Sequence, residues 1–274
     1  MKILLIYISS NRTTDKISNK LQEEFNRDGH QVFLLNIGKP CNRQPEQIDP
    51  QLFQNLDLIG IGSPVFHMRL LEPLEKYLKQ VLPLLQRPLK AFVYLTYGGI
   101  TTGKAFLIST ELLKQQNISI VGGMKVWGPH FFNHVEYPDV EANKTVELFV
   151  SSLKANQYRS LSWPKVIEMF SYQTWRVKAI YPLTHWIGKT RELPIHIDAE
   201  KCKKCGRCVI ECPTGAMEMK DTVIYNNQKC IYCYHCTTVC KLNAVICPTE
   251  KVEEALKVNK KVIGCEKPVN AVYL

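Results

Sequence analysis

Met1-Lys2-Ile3-Leu4-Leu5-Ile6-Tyr7-Ile8-Ser9-Ser10-Asn11-Arg12-Thr13-Thr14 opens the chain, and its reading decides the fold of the larger part. Lys2–Ile8 is a near-continuous apolar run of strand length, the pattern of a strand covered on both faces. A run of hydroxyls and amides then leads into an amphipathic segment near 14–27. The alternation continues along the chain. Strands are expected at Gln31–Asn36, Leu56–Ile61, Leu89–Leu95 and Ile118–Val126, with helices near 69–82, 102–116 and 139–158. Strand and helix in turn imply right-handed crossovers and a parallel sheet with helices on both faces. Five such strands in a doubly wound α/β sheet suggest the order 2-1-3-4-5, with a ligand at the carboxyl ends of strands 1, 3 and 4.

The loops expected at those ends share a chemistry. Backbone N–H groups and hydroxyls in Ser9-Ser10-Asn11-Arg12-Thr13-Thr14, entering a helix, can hold a phosphate without a metal. Ile59-Gly60-Ile61-Gly62-Ser63-Pro64-Val65-Phe66 ends the third strand, and Leu95-Thr96-Tyr97-Gly98-Gly99 ends the fourth. Glycines there let the backbone approach a flat ring, and Phe66 and Tyr97 can pack against its faces. No Gly-x-Gly-x-x-Gly follows the first strand, so a dinucleotide site fits less well.

The first loop resembles the flavodoxin phosphate loop Ser-x-Thr-Gly-x-Thr, with Asn11 and Arg12 in place of Thr and Gly. The other two look like the flavodoxin loops that flank the isoalloxazine ring. The resemblance implies FMN, held by Ser9, Asn11, Arg12, Thr13 and Thr14 at the phosphate. At the ring it implies Ser63, Pro64, Val65, Phe66, Thr96, Tyr97, Gly98 and Gly99. Arg12 stands at the loop's glycine position, where a positive φ costs a side-chain residue about 1 kcal/mol or more. Pairing of its guanidinium with the phosphate would compensate.

Eleven cysteines are distributed very unevenly: Cys41 stands alone in the first 200 residues, and ten fall between Cys202 and Cys265. Cys202-x2-Cys205-x2-Cys208-x3-Cys212-Pro213 is followed by Cys230-x2-Cys233-x2-Cys236-x3-Cys240, a copy offset by 28 residues in which Lys201 matches Lys229 and Ala216 matches Ala244. Three sulfurs on a tight loop and a distant fourth are what a cuboidal 4Fe–4S cluster requires. Zinc sites also use Cys-x2-Cys, but seldom with a third cysteine two residues on and a fourth after x3 followed by proline. Residues 191–246 closely resemble a bacterial-type two-cluster ferredoxin domain, in which the fourth cysteine of each run serves the other cluster. Carried over, one cluster takes Cys202, Cys205, Cys208 and Cys240, and the other takes Cys230, Cys233, Cys236 and Cys212. Lys241 replaces the proline of the first run and places a cation beside a cluster, an arrangement that raises its potential. Cys41, Cys247 and Cys265 fall outside the pattern and read as ordinary thiols.

Net charge is +10 over 274 residues. Residues 151–190 supply +5 of it and also hold Trp163, Trp175 and Trp186. Ser162 followed by Pro164 can start a helix, and Val166, Met169, Phe170, Val177 and Ile180 recur at helical spacing until Pro182, which should kink or end it. This segment reads as a connector helix packed on both domains, with an amphipathic membrane-surface role for 161–188 as the other reading. No recognition motif accompanies the charge, so nucleic acid is not an expected partner. Two clusters and an FMN phosphate would lower the net charge to about +4. No stretch approaches the ~20 apolar residues of a transmembrane helix. The amino terminus lacks a signal peptide's apolar region and cleavage site, which points to the cytoplasm, where thiols stay reduced. No nucleophile–base constellation stands out; His67 and His130 lie in loops that could face a flavin.

The expected organisation is a flavodoxin-like domain over 1–160, a connector over 161–190, a two-cluster domain over 191–250 and a tail over 251–274 packing on the domains. The whole resembles the flavodoxin–ferredoxin fusion proteins of anaerobic bacteria and archaea. That resemblance implies single-electron transfer between two 4Fe–4S clusters and FMN, as a low-potential carrier or a reductase of a small acceptor, with a redox protein as partner. The alternative is a ferredoxin module whose flavin-free flavodoxin-like domain docks it on a partner. Nothing in the sequence specifies an oligomeric state.

Overall fold

The structure is a computed structural model describing residues 1–86, 88–133, 135–190 and 194–274, with backbone alone at 183–190. The junction expected near 190–191 and the side chain of Trp186 lie outside the described residues. In the first part β1 (Lys2–Tyr7), α1 (Thr13–Arg27) and β2 (Gln31–Asn36) are followed by short 3-10 turns and β3 (Leu58–Phe66). β4 (Arg69–Leu70), α2 (Glu72–Val81), β5 (Lys90–Tyr97), α3 (Ala105–Gln115), β6 (Ser119–Trp127) and α4 (Val140–Ala155) complete the alternation. β2, β1, β3, β5 and β6 lie side by side in parallel, the expected 2-1-3-4-5 order of a flavodoxin-like sheet. Ile3, Leu4, Leu5 and Ile6 are fully buried, as a strand covered on both faces requires.

β3 runs five residues beyond the expected Ile61. Gly60 and Gly62 lie where a Cβ would come within 2.5 Å of Leu5 and 2.2 Å of Tyr94, so only glycine lets those neighbouring side chains pack across the strand. Pro64 keeps register with Thr96, and Val65–Phe66 folds back on β4 as a hairpin. Ser63-Pro64-Val65-Phe66 is therefore strand and not loop. The helix expected from 69 begins at Glu72, because β4 occupies its first residues and Pro73 suits a first turn.

The expected single connector helix is two. α5 (Trp163–Phe170) packs Val166 and Phe170 into the sheet domain, where Phe170 stacks on Phe106 with centroids 4.4 Å apart. The break falls at Ser171–Thr174, not at Pro182, and α6 (Trp175–Thr190) continues through that proline. Tyr172 and Gln173 turn inward there to hydrogen-bond Thr102 and Thr101, which competes with continuing the helix. Trp175 is 74% exposed beside Arg176, whereas the Trp163 ring carries Lys114 at 4.0 Å.

The cysteine-rich part consists of β7 (His196–Ile197), α7 (Arg207–Ile210), β8 (Met217–Met219), β9 (Val223–Tyr225), α8 (His235–Val239) and β10 (Val245–Ile246). β7 pairs β10 and β8 pairs β9, both antiparallel. α9 (Thr249–Ile263) is solvated, with no buried residue of its own, and β11 (Ala271–Tyr273) then returns to pair antiparallel with β6. The tail thus adds an edge strand to the first domain's sheet.

Candidate redox site

The two cysteine loops are wound alike. Lys204 and Gly206 in the first loop, and Tyr232 and Tyr234 at the equivalent positions of the second, have φ between 51° and 73°. Left-handed residues at alternate positions coil each loop tightly enough to turn three sulfurs inward. α7 and α8 follow immediately and direct the fourth cysteine back across the domain. Cys212 Sγ accepts from Ala216 N at 3.2 Å and Cys240 Sγ from Ala244 N at 3.3 Å, so the repeated alanine marks a repeated N–H···S bond.

Cys212 of the first run lines one cavity together with Cys230, Cys233 and Cys236 of the second. Cys208 has Cys240, Cys202 and Cys205 as its charged neighbours. Burial pushes the Cys208 thiol up to about 11, and Cys240 and Cys202 push it further. Cys236 is driven up in the same way. Iron cations take the place of the thiol protons when a cluster is bound, so these sulfur donor sets fit iron–sulfur clusters.

At the carboxyl end of the sheet, Arg12 has φ 64°, the left-handed conformation expected of its glycine-like position. Its guanidinium pairs with Glu211, which precedes Cys212 in the cysteine-rich part. Ser9 Oγ accepts from Asp15 N, Thr13 Oγ1 donates to Asn11 Oδ1, and Asn11 Nδ2 donates to the Pro129 carbonyl at 2.9 Å. Thr14 and Thr96 hydroxyls meet at 2.8 Å, bringing the first and third predicted loops together. The hydroxyls are engaged, yet the backbone N–H groups of Asn11, Arg12, Thr13 and Thr14 have no protein partner among the described residues. Four such groups at the start of α1 fit a phosphate.

The ring end is more closed. Tyr97 is 4% exposed and donates its hydroxyl to the Val269 carbonyl at 2.7 Å. Ser63 is fully buried, donating to the Pro64 carbonyl and accepting from Leu71 N. Val65 and Phe66 are half-buried against the core. Gly98 and Gly99 face two aromatic side chains, one after β6 and one at its end. A Cβ on Gly98 would come within 2.4 Å of the His130 imidazole, and one on Gly99, at φ 82°, within 3.2 Å of the Trp127 indole. His67 sits exposed at the tip of the β3–β4 hairpin.

His130 stacks on Phe132 and its Nε2 is buried without a hydrogen-bond partner among the described residues. Burial holds its pKa below the ordinary 6.5, with the Lys260 charge adding to the effect. A histidine kept neutral in the fold but free to charge when unfolded contributes stability that is present above its ordinary pKa and lost as pH falls through the folded value. The denaturation midpoint is therefore expected to drop as pH falls below the ordinary histidine pKa of about 6.5, and His130→Gln to flatten that slope. His30, also depressed by burial, leaves a residual slope in the variant. An unchanged slope in His130→Gln would remove His130 from this role.

The two parts meet at the same end of the sheet. Besides Arg12–Glu211, Phe131 packs on Tyr234 with centroids 5.0 Å apart, and Pro213 lies against Gly38. Arg43, between β2 and β3, donates through Nη2 to the carbonyls of Cys212 and Gly38. Sequence reasoning missed Arg43, Glu211 and Val269. The aromatic run Trp127-Gly128-Pro129-His130-Phe131-Phe132 was the visible signal for the second wall of the ring end.

Residues 194–241 match the family model of the 4Fe-4S dicluster domain. An uncharacterized ferredoxin of Methanocaldococcus jannaschii is 33% identical over 76 residues, covering 25% of this chain and 48% of its own length. An uncharacterized protein of the same archaeon is 25% identical over 166 residues, covering 57% of this chain and all of its own length. A flavodoxin from the domain Archaea superposes with a TM-score of 0.46 at 13% identity, over 58% of this chain and 99% of that one. The chain spans 8% and 48% of the lengths of the first curated relatives it matches.

Proposed function

From a chain that joins a flavodoxin-like sheet to a 4Fe–4S ferredoxin-type domain, we propose an electron-transfer protein that moves single electrons between two 4Fe–4S clusters and FMN. The observation that carries this is the seating of the cavity of Cys212, Cys230, Cys233 and Cys236 directly on the carboxyl end of the sheet, through Arg12–Glu211 and Phe131–Tyr234. Clusters exchange one electron at a time and a flavin one or two, so their pairing converts between the two kinds of traffic. The chain's own residues supply placement. The N–H groups of Asn11–Thr14 hold the phosphate, Gly98 and Gly99 let the ring approach the backbone, and Phe66 with Trp127 shields it. Arg12 contributes to docking of the two parts instead of compensating the phosphate. The partner is a redox protein or small acceptor reaching the exposed His67 hairpin or the solvated edge of the cysteine-rich part.

The flavin-free docking reading is favoured by the hydrogen bond from Tyr97 to Val269 and by His130 against Gly98, which fill part of the ring end. Cofactor analysis separates the two. Anaerobically reconstituted protein is expected to hold about eight iron and eight sulfide per chain and one FMN extractable by acid. Iron and sulfide at that level with no flavin would replace the first reading by the second.

A further inference from the structure

Arg43 is a half-buried guanidinium that no acid among the described residues neutralises. Nη2 donates to the carbonyls of Cys212 and, at 3.1 Å, Gly38, while Nε is buried without a partner. Among the described residues no carboxylate lies within ion-pairing distance of it, whereas Arg12, the other arginine that reaches the Cys212 turn, is paired with Glu211. The ionisable groups nearest to it are the sulfurs of Cys212 and then Cys41. The fold makes room for it deliberately. Gly215, at φ 67°, provides the notch, since a Cβ there would lie 2.6 Å from Arg43 Nη1. A buried cation without a counter-ion is costly, so a site that shapes itself around one implies an anion close by.

The anion that fits is on the other side of Cys212. That residue lines the cavity ringed by Cys230, Cys233 and Cys236, where a four-thiolate cluster carries negative charge and gains one more on reduction. We propose that Arg43, reaching from the flavodoxin-like domain, is the counter-ion of this cluster and raises its reduction potential above that of the cluster of Cys202, Cys205, Cys208 and Cys240. Arg43 is a positioning residue acting through the Cys212 turn. The other cluster has Lys241 next to Cys240, but Lys241 is exposed, and its charge is screened by water and salt more than that of half-buried Arg43. The result is an electron resting preferentially on the cluster nearer the sheet's carboxyl end. This rests on the two-cluster reading.

The test is an EPR-monitored redox titration of the anaerobically reconstituted full chain, wild type against Arg43→Gln and Arg43→Lys. In Arg43→Gln the equilibrium between the clusters should move at least tenfold toward the Cys202-containing one, about 59 mV per tenfold for a one-electron couple. Only the potential of the Cys212-containing cluster should move, and Arg43→Lys should return most of the shift. If Arg43→Gln binds less iron, Arg43→Met, of similar reach and uncharged, is read in the same way. Unchanged potentials, or equal shifts in both clusters, overturn the proposal while an iron count of about eight keeps the two-cluster reading. An iron count near four in the wild type overturns both.

Discussion

Replacing Cys240 with alanine is expected to remove the cluster held by Cys202, Cys205 and Cys208, although those residues lie over thirty positions away and Cys240 closes the second run. Iron should fall from about eight to about four per chain. The reason is spatial. α8 carries Cys240 out of its own loop and toward Cys208, whereas α7 carries Cys212 to the cavity of Cys230, Cys233 and Cys236. Three alanine variants make the result decisive. The residual EPR spectrum of Cys240→Ala should match that of Cys205→Ala and differ from that of Cys233→Ala. A match to Cys233→Ala instead would mean each run ligates its own cluster. Cys247, though followed by proline like Cys212, is expected to leave the iron content unchanged when replaced.

The second large effect is on stability. Lys125→Met is expected to cost roughly 3–5 kcal/mol, because removing one partner of a buried ion pair leaves the other charge uncompensated. Lys125 is 1% exposed on β6, and its Nζ meets Glu266 at 2.9 Å. Glu266 also accepts from Thr102 N and the hydroxyls of Thr101 and Thr102, and Lys125 lies over the Tyr172 ring at 4.9 Å. This knot ties the tail after α9 to the loop after β5 and to the break between α5 and α6. Its loss should loosen β11 and the Tyr97–Val269 bond together. Denaturant unfolding measures the cost, and proteolysis in the 264–270 stretch reports the loosening. Lys125→Met combined with Glu266→Gln should recover most of the loss, since no net charge is then left buried. A cost below about 1 kcal/mol in the single variant would show the pair to be solvated.

Much of the fold was legible because it is written locally. Ile3–Ile6 alternate with nothing polar and have to be covered on both faces, and α1 follows a hydroxyl-rich turn, so strand order followed from connection rules. The cysteine runs were legible for a like reason: spacing within a few residues sets which sulfurs one loop can turn inward. Arg12 even announced its left-handed backbone by standing where a glycine is expected, and the structure gives it φ 64°. Its partner was not announced. It is Glu211, which lies 199 residues on.

The chain's own pattern determined a doubly wound sheet and a cysteine-rich module with a 28-residue repeat, and it put residues 9–14 at one end of that sheet. Tertiary structure alone decided which distant residues meet. Arg43 reaches the Cys212 turn, Val269 takes the Tyr97 hydroxyl, Glu266 neutralises Lys125, and β11 closes an edge that five strands left open. The physical reason is common to all four. Periodicity and spacing encode which face of an element is apolar and which turn is tight, and they act over one or two helical turns. Hydrogen bonds and ion pairs between residues 141 to 172 positions apart depend on where packing brings each side chain, and on the cost of leaving its charge or donor buried and unpaired.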